Sequence, residues 1–455
     1  MQIHVDPSRQ FQAMEGFGAS GAWWAQIVGG WKHIDPDSGK PVRDRISELL
    51  YSREKGIGLQ IYRYNIGGGS RHSGKGRFSQ PARRTESFDA GPGKYDWSRD
   101  ANAVYMMKQA VRDGARELVL FVNSPPERIT KNGKTHVEVI ESLHENLSRQ
   151  NYEAFADYCL DVTEHFVQEG LPVKYLSPVN EPLWVWNGGQ EGCHYRPASV
   201  KRLFQVFAEK LEQRRALQNV RLAGAEVGDI RWFNKTYTRR LLGDPQIRRH
   251  LDALDVHSYC HPAPLPFLND RQAFLKRFRR WMDGHYPDVP VRMSEWTHMK
   301  GGRDYGMDSA LVMAQTMYED LTLLNVTSWQ HWIAVSEVDF CDGLIYIDLE
   351  EQTFAPTKRL YATGNFSRYI QPGARRIAAW SQDQELRLLA FVQGEQTVLL
   401  VINPTDQAKA VSVEPCSRGT VSLVVTDETR DLVPEELKSG GEIPIAARSV
   451  NTILF

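Results

Sequence analysis

Ser177-Pro178-Val179-Asn180-Glu181-Pro182 and Val291-Arg292-Met293-Ser294-Glu295-Trp296 each close an apolar run with a carboxylate. The two glutamates are 295 − 181 = 114 residues apart, too far for local pairing. The spacing suits a fold whose successive parallel strands deliver side chains to one common rim. The (β/α)8 barrel does this at the C-terminal ends of its strands.

The rest of the chain keeps the same rhythm. Eight apolar stretches lie at Gly16–Ser20, Leu59–Gly68, Leu118–Pro125, Val173–Glu181, Arg221–Gly228, Ala253–Tyr259, Val289–Trp296 and Val326–Trp332. Strands buried on both faces read as continuous apolar runs of this kind. Helical spacing fills the gaps: Phe155, Cys159, Leu160 and Phe166 share a face that ends at Gly170, and Val200, Leu203, Phe204, Phe207 and Leu211 share another. The fold expected is α/β, a (β/α)8 TIM barrel over residues 14–372. Near Pro372-Gly373 the texture changes to short β-rich runs between turn residues. Residues 373–455 are therefore expected to form an antiparallel β-sandwich, with the alternating N-terminal strand, residues 1–13, added to it.

Composition narrows the partners. The chain has 455 residues, 41% of them hydrophobic, enough for a large barrel and a smaller domain. Its 56 acidic and 55 basic residues leave a net charge of −1, so no overall field favours nucleic acid or an anionic membrane. A neutral partner, carbohydrate, fits better. No run approaches the length of a membrane helix, and Met1-Gln2-Ile3-His4 lacks the basic start and apolar core of a signal peptide. The chain so reads as cytoplasmic; a secreted protein whose leader has been removed would read the same. Cys159, Cys193, Cys260, Cys341 and Cys416 are scattered, with no C-x-x-C pair, which argues against a disulfide framework or zinc site. No metal or organic cofactor is expected.

Two carboxylates on one barrel rim are the minimal equipment for cutting a glycosidic bond. One protonates the leaving oxygen while the other attacks the anomeric carbon or activates water. Each glutamate alone is as well read as a surface ion pair at a loop start; strand-end position and flanking aromatics favour chemistry. Trp184, Trp296 and Trp332 follow or close strands, where rings stack on sugars. Of the seven tryptophans at strand ends, two or three are expected to be ordinary core. Arg63, Asn123, His257 and Tyr259 are polar candidates at other strand ends, each of which equally well closes a buried hydrogen-bond network. A loop rich in glycine and positive charge, Gly67 to Phe78 followed by Arg83-Arg84, reads either as cover for the cleft or as solvated surface.

Several motifs together resemble glycoside hydrolase family 30. They are Glu15-Gly16-Phe17-Gly18-Ala19-Ser20, Tyr62-Arg63-Tyr64-Asn65-Ile66-Gly67-Gly68, Asn123-Ser124-Pro125-Pro126, Asn180-Glu181-Pro182, Val256-His257-Ser258-Tyr259, Ser294-Glu295-Trp296 and Phe366-Ser367-Arg368-Tyr369-Ile370-Gln371-Pro372-Gly373. The resemblance implies a barrel with a side β-sandwich and a retaining mechanism. It implies Glu181 as general acid/base, Glu295 as nucleophile and Asn180 on the 2-hydroxyl of the sugar being cut. Arg63 and Tyr259 would hold the nucleophile ionised, and Trp332 would floor the subsite. Within the family, Tyr-Asn-Ile-Gly-Gly and Asn-Ser-Pro-Pro are similar to the endo-β-1,6-galactanases. Ser70 and Pro126 stand where the glucosylceramidase pattern has aspartate and tryptophan. Glu127-Arg128 departs from the aromatic pair usual in galactanases. The function so implied is retaining hydrolysis of β-linked, β-1,6-galactose-containing oligo- or polysaccharides. The alternatives are an exo-acting β-glucosidase, β-xylosidase or β-fucosidase on the same scaffold, or a carbohydrate-binding protein without catalysis.

Overall fold

The computed structural model describes residues 1–137, 144–414, 420–438 and 441–455. They form two compact units: Met1–Ala19, His33–Gln60 and Thr297–Phe455 make one, and Ser20–Lys32 with Ile61–Trp296 the other. The chain opens with strands β1 (Gln2–Ala13) and β2 (Gly16–Ser20).

The second unit alternates strand and helix. Strands β3 (Ile61–Asn65), β4 (Glu117–Phe121), β5 (Val173–Ser177) and β6 (Arg221–Leu222) pair in parallel in that order. So do β7 (Ala225–Val227), β8 (Leu254–His257) and β9 (Val291–Trp296). Helices α1 (Ala101–Asp113), α2 (Tyr152–Gln168) and α3 (Pro197–Glu212) follow strands and bury the apolar faces their sequences carry. The chain leaves α2 through Gly170, at φ +81°, where a left-handed residue ends a helix at least cost. α3 starts on Pro197, whose missing N–H is an orphan there in any case.

Ile61, Val119, Tyr175 and Ala223, from neighbouring strand segments, make one packed layer of the barrel interior. At the opposite end from the site described below, buried Arg292 stacks over Tyr175 at 3.7 Å and lies 3.3 Å from Glu117 and 3.5 Å from Asp255. The fifth strand is broken. Gly224 sits at φ +154°, and a side chain there would meet the Phe204 ring at 2.7 Å. The chain turns at this glycine, and β6 and β7 therefore pair with different neighbours.

In the first unit β2 pairs in parallel with β10 (Val326–His331). All these strands belong to one parallel sheet, ordered β6-β5-β4-β3-β2-β10-β9-β8-β7, whose two ends are pieces of the same strand. The fold is the (β/α)8 barrel.

The first unit also holds a second nine-stranded sheet. β1 pairs antiparallel with β11 (Arg375–Ser381), which continues through β12 (Arg387–Gln393) and β13 (Gln396–Asn403). Beyond these come β14 (Lys409–Glu414), parallel to β1, then β15 (Thr420–Thr426), β16 (Val433–Lys438), β17 (Ile443–Ile445) and β18 (Ser449–Leu454). Ile3, Val5, Leu399, Val401, Leu423 and Ile453 fill a core between its faces, as alternating strands of a sandwich require. β16 carries no clear apolar alternation and β17 is only three residues long, so neither was legible as a strand.

Among the described residues no helix is long and apolar enough to cross a membrane. Cys159, Cys193, Cys260 and Cys341 are free thiols, and Cys416 lies outside the described residues.

Candidate active site

The C-terminal ends of β3, β5, β7, β8 and β9 bring five charged groups together within the second unit. Arg63, from β3, is fully buried with its guanidinium 3.7 Å over the Phe121 ring. Its Nη1 donates to Glu295 Oε2 at 2.6 Å. Its Nη2 donates to Glu226 Oε2 at 2.7 Å and to Asn180 Oδ1 at 3.0 Å. Asn180 Nδ2 donates onward to Asn123 Oδ1 at 3.0 Å, and Asn123 Nδ2 reaches Asn65 Oδ1 at 3.5 Å.

His257 closes the other side. Its Nδ1 lies 3.0 Å from Glu181 Oε1 and 3.6 Å from Glu295 Oε1, and its Nε2 lies 3.6 Å from Glu226 Oε2. An oxygen of Glu181, an oxygen of Glu295 and a His257 nitrogen all fall within 4.8 Å of one another. Glu181 keeps 18% of its side chain exposed, against 7% for Glu295 and none for Glu226. Glu181 is thus the carboxyl nearest to open solvent.

Backbone geometry sets these positions. Glu181 and Glu226 both have left-handed φ, +42° and +47°, a conformation that strains a residue with a Cβ and clusters at functional sites. The Glu181 N–H donates to Glu226 O at 3.0 Å, locking the two strand ends together. Gly228 lies against the Glu181 carboxyl: a Cβ there would stand 2.5 Å from Oε1.

Electrostatics sort the carboxylates. Burial pushes Glu226 up, but Arg63 and His257 overcome it and hold it at about 2. For Glu295 burial wins, and its pKa lies above the usual carboxylate range although His257 and Arg63 pull it down. Burial opposes the charge on His257, yet Glu295, Glu181 and Glu226 raise its pKa to about 10, so the ring is an imidazolium at neutral pH. The sequence reading has Arg63 lowering the pKa of Glu295. In the structure Arg63 is shared: it pulls down both Glu226 and Glu295, and at Glu295 burial outweighs it. A protonated His257 and the adjacent guanidinium also make the Glu181–His257–Glu295 triad a poor cation site, since imidazole binds metal only when neutral.

The structure therefore brings together Arg63, Asn123, Asn180, Glu181, His257 and Glu295. Tyr259 packs edge-on to His257 at 6.1 Å and stacks on His261 at 5.5 Å. Trp296 is buried at the end of β9, and Trp184 stands exposed in the turn after Glu181, whose carbonyl accepts the Trp184 N–H. Trp332 follows β10 in the other unit and is partly buried. Of the seven strand-end tryptophans, Trp23, Trp24, Trp186, Trp296 and Trp329 are buried.

The glycine-rich loop is braced. Buried Glu191 accepts from the Gly68 and Ser70 N–H groups at 2.8 and 3.1 Å, and Arg84 donates to the carbonyls of Lys75 and Gly76 at 2.8 Å. Sequence reasoning missed Glu226. Its signal was available: it stands near the end of the apolar run Arg221–Gly228, as Glu181 and Glu295 do in theirs.

A parallel barrel with carboxylates paired at its strand ends is the arrangement that glycosidic-bond hydrolysis needs. The chain matches the model of O-glycosyl hydrolase family 30 over residues 1–261 and 292–346, and it belongs to that family. An endo-beta-1,6-galactanase of Hypocrea rufa is 24% identical over 445 residues, covering 90% of this chain and 83% of the relative. Among solved structures, a conserved exported protein from Bacteroides fragilis superposes with a TM-score of 0.88 at 23% identity, all of both chains being covered. An endo-beta1,6-glucanase superposes with a TM-score of 0.72 at 16% identity, covering all of this chain and 93% of that one. The protein is a β-glycosidase whose substrate is carbohydrate.

Proposed function

We propose that the protein is a retaining β-glycosidase in which Glu181 is the general acid/base and Glu295 the nucleophile. The observation that carries this reading is the approach of the two carboxylates, with oxygens within 4.8 Å and a shared imidazolium between them. Retaining glycosidases hold their carboxyl groups about 5 to 5.5 Å apart, whereas inverting enzymes leave room for a water between them.

Exposure supports the division of labour. Glu181 keeps 18% of its side chain exposed, against 7% for Glu295 and none for Glu226, so it is the carboxyl placed to reach a leaving-group oxygen. It delivers the proton to the glycosidic oxygen as the bond to the anomeric carbon breaks. Glu295 attacks that carbon from the other face and forms a glycosyl-enzyme ester. Glu181, now ionised, draws a proton from water, whose oxygen displaces Glu295 and restores both groups. Asn180, oriented by Arg63 and Asn123, presents its amide to the sugar hydroxyl next to the reacting carbon. Arg63 and His257 stabilise Glu295 as a leaving carboxylate in the second step.

We further propose a β-1,6-linked galactose-containing glycan as substrate. The galactanase relative and the Tyr-Asn-Ile-Gly-Gly and Asn-Ser-Pro-Pro motifs support it. The test is chromatography of the products from β-1,6-linked galacto-oligosaccharides. Shortened galacto-oligosaccharides support the assignment; an untouched substrate beside turnover of β-glucosides, β-xylosides or β-fucosides would replace it with an exo-acting specificity.

A further inference from the structure

Two loops next to Glu181 expose apolar side chains that the fold does not use. Trp232 is 41% exposed, Phe233 55%, Leu265 52% and Phe267 68%. The first pair lies on the loop after β7 and the second on the loop after β8, at the same strand ends that carry Glu226 and His257. Phe233 adopts a left-handed φ of +57°, so this residue has a strained backbone and a half-exposed ring at once. Folding gains little from such an arrangement.

The loops are nevertheless built firmly. Arg231 donates to both carboxylate oxygens of Asp229, at 2.9 and 2.6 Å, and to the carbonyl of Leu268 at 3.0 Å, which ties one loop to the other. The His261 N–H donates to Asp229 at 3.3 Å, and the Ile230 N–H to the carbonyl of Tyr259 at 2.9 Å. The Arg231 side chain is only 4% exposed. The charges are thus spent inside the frame, and the face left outward is apolar.

We infer that these two loops, through Trp232, Phe233 and Phe267, form a stacking platform for the sugars of the leaving group. The inference rests on Glu181 being the acid/base. Gly228, the residue from which the first loop departs, lies directly against the Glu181 carboxyl. The group that protonates the glycosidic oxygen stands beside the sugar that departs with that proton as its new hydroxyl. Sugars beyond that oxygen therefore continue past Glu181 onto the loop that backs it. Flat aromatic faces take the apolar faces of pyranose rings, and a frame with its charges paired internally suits neutral sugars. The platform makes the enzyme select for glycans with a long leaving group.

A panel of β-glycosyl fluorides (galactosyl, glucosyl, xylosyl and fucosyl) first fixes the sugar that the wild type accepts, which tests the galactan assignment alone. The wild type and a Trp232→Ala/Phe267→Ala variant are then compared on that fluoride, whose leaving group is one atom, and on the matching β-linked tetrasaccharide. The ratio of kcat/KM for tetrasaccharide over fluoride is expected to fall about tenfold in the variant. A Trp232→Phe/Phe267→Tyr variant should recover most of it. A ratio that stays constant, or a loss that aromatic replacement does not recover, overturns the platform. Concentration-dependent dimerisation that the alanine variant abolishes would give the patch to a second copy of the chain and overturn it too.

Discussion

Arg63 is held as closely by Glu226 as by Glu295, at 2.7 and 2.6 Å, so the guanidinium serves two carboxylates rather than one. Glu295 is a buried carboxyl whose ionisation rests on this shared arginine and on His257. Replacing Glu226 by glutamine should undo that division. Among the described residues Glu226 Oε1 has no hydrogen-bond partner, so an amide nitrogen fits there while the carbonyl keeps the place of Oε2 beside Arg63. The variant should fold, at a cost of about 3 kcal/mol, the low end for a broken buried pair. With Arg63 given wholly to Glu295 and a like charge removed, the acidic limb of kcat/KM should move down by about one pH unit. Thermal unfolding and a pH profile check the two effects separately.

The wild-type pH profile follows from the same cluster. Glu295 must be ionised to attack, and its pKa lies above the usual 4.5. Activity should therefore fall, as pH is lowered, at a higher pH than for an unperturbed glutamate. His257 stays charged up to about 10 and pulls Glu295 down. A His257→Gln variant removes that cation, so its acidic limb should shift upward, opposite to Glu226→Gln. Shifts of the same sign in both variants would show that neither charge acts on the nucleophile.

Gly228 offers a test that leaves every carboxylate in place. A methyl group there stands 2.5 Å from Glu181 Oε1 and 2.7 Å from its carboxyl carbon, the movable end of a side chain. Gly228→Ala should fold normally and push the Glu181 carboxyl aside by about 1 Å. Misplacement on that scale costs on the order of 100-fold in kcat. Circular dichroism and steady-state kinetics on one preparation check both halves.

Removing the acid itself should be selective. Glu181→Ala should lose about 100- to 10,000-fold on an unactivated glycan, where the leaving oxygen needs a proton. The first step should lose much less on an aryl glycoside whose phenolate leaves unaided. Added azide should then restore turnover as β-glycosyl azide, detectable by mass spectrometry. Equal losses on both substrates would remove Glu181 from the acid's role.

Much of this was legible because barrel strands are buried on both faces. Runs such as Val291–Trp296 stand out as unbroken apolar sequence, and the carboxylate that ends one is conspicuous. The sharing of Arg63 was not legible. It depends on which strand ends meet in space, and β7 reaches Arg63 only because the chain turns at Gly224. Burial of the strand-end tryptophans was less legible. Trp24 and Trp329 are 0% and 1% exposed, and nothing in the spacing of strand ends marks them as buried. Strand β16 escaped because Val433–Lys438 lies largely exposed, so no apolar alternation marks it, and β17 because Ile443–Ile445 is too short a run to stand out.

Double displacement by Glu181 and Glu295 would leave the first product with the configuration of the substrate. Proton NMR of a β-linked oligosaccharide during cleavage, recorded faster than the anomers interconvert, reads that configuration. The β-anomer should come first, with the α-anomer growing in only as the product mutarotates. An α-anomer at the earliest time points would contradict double displacement, because a single displacement by water would then be at work despite the close approach of the two carboxylates.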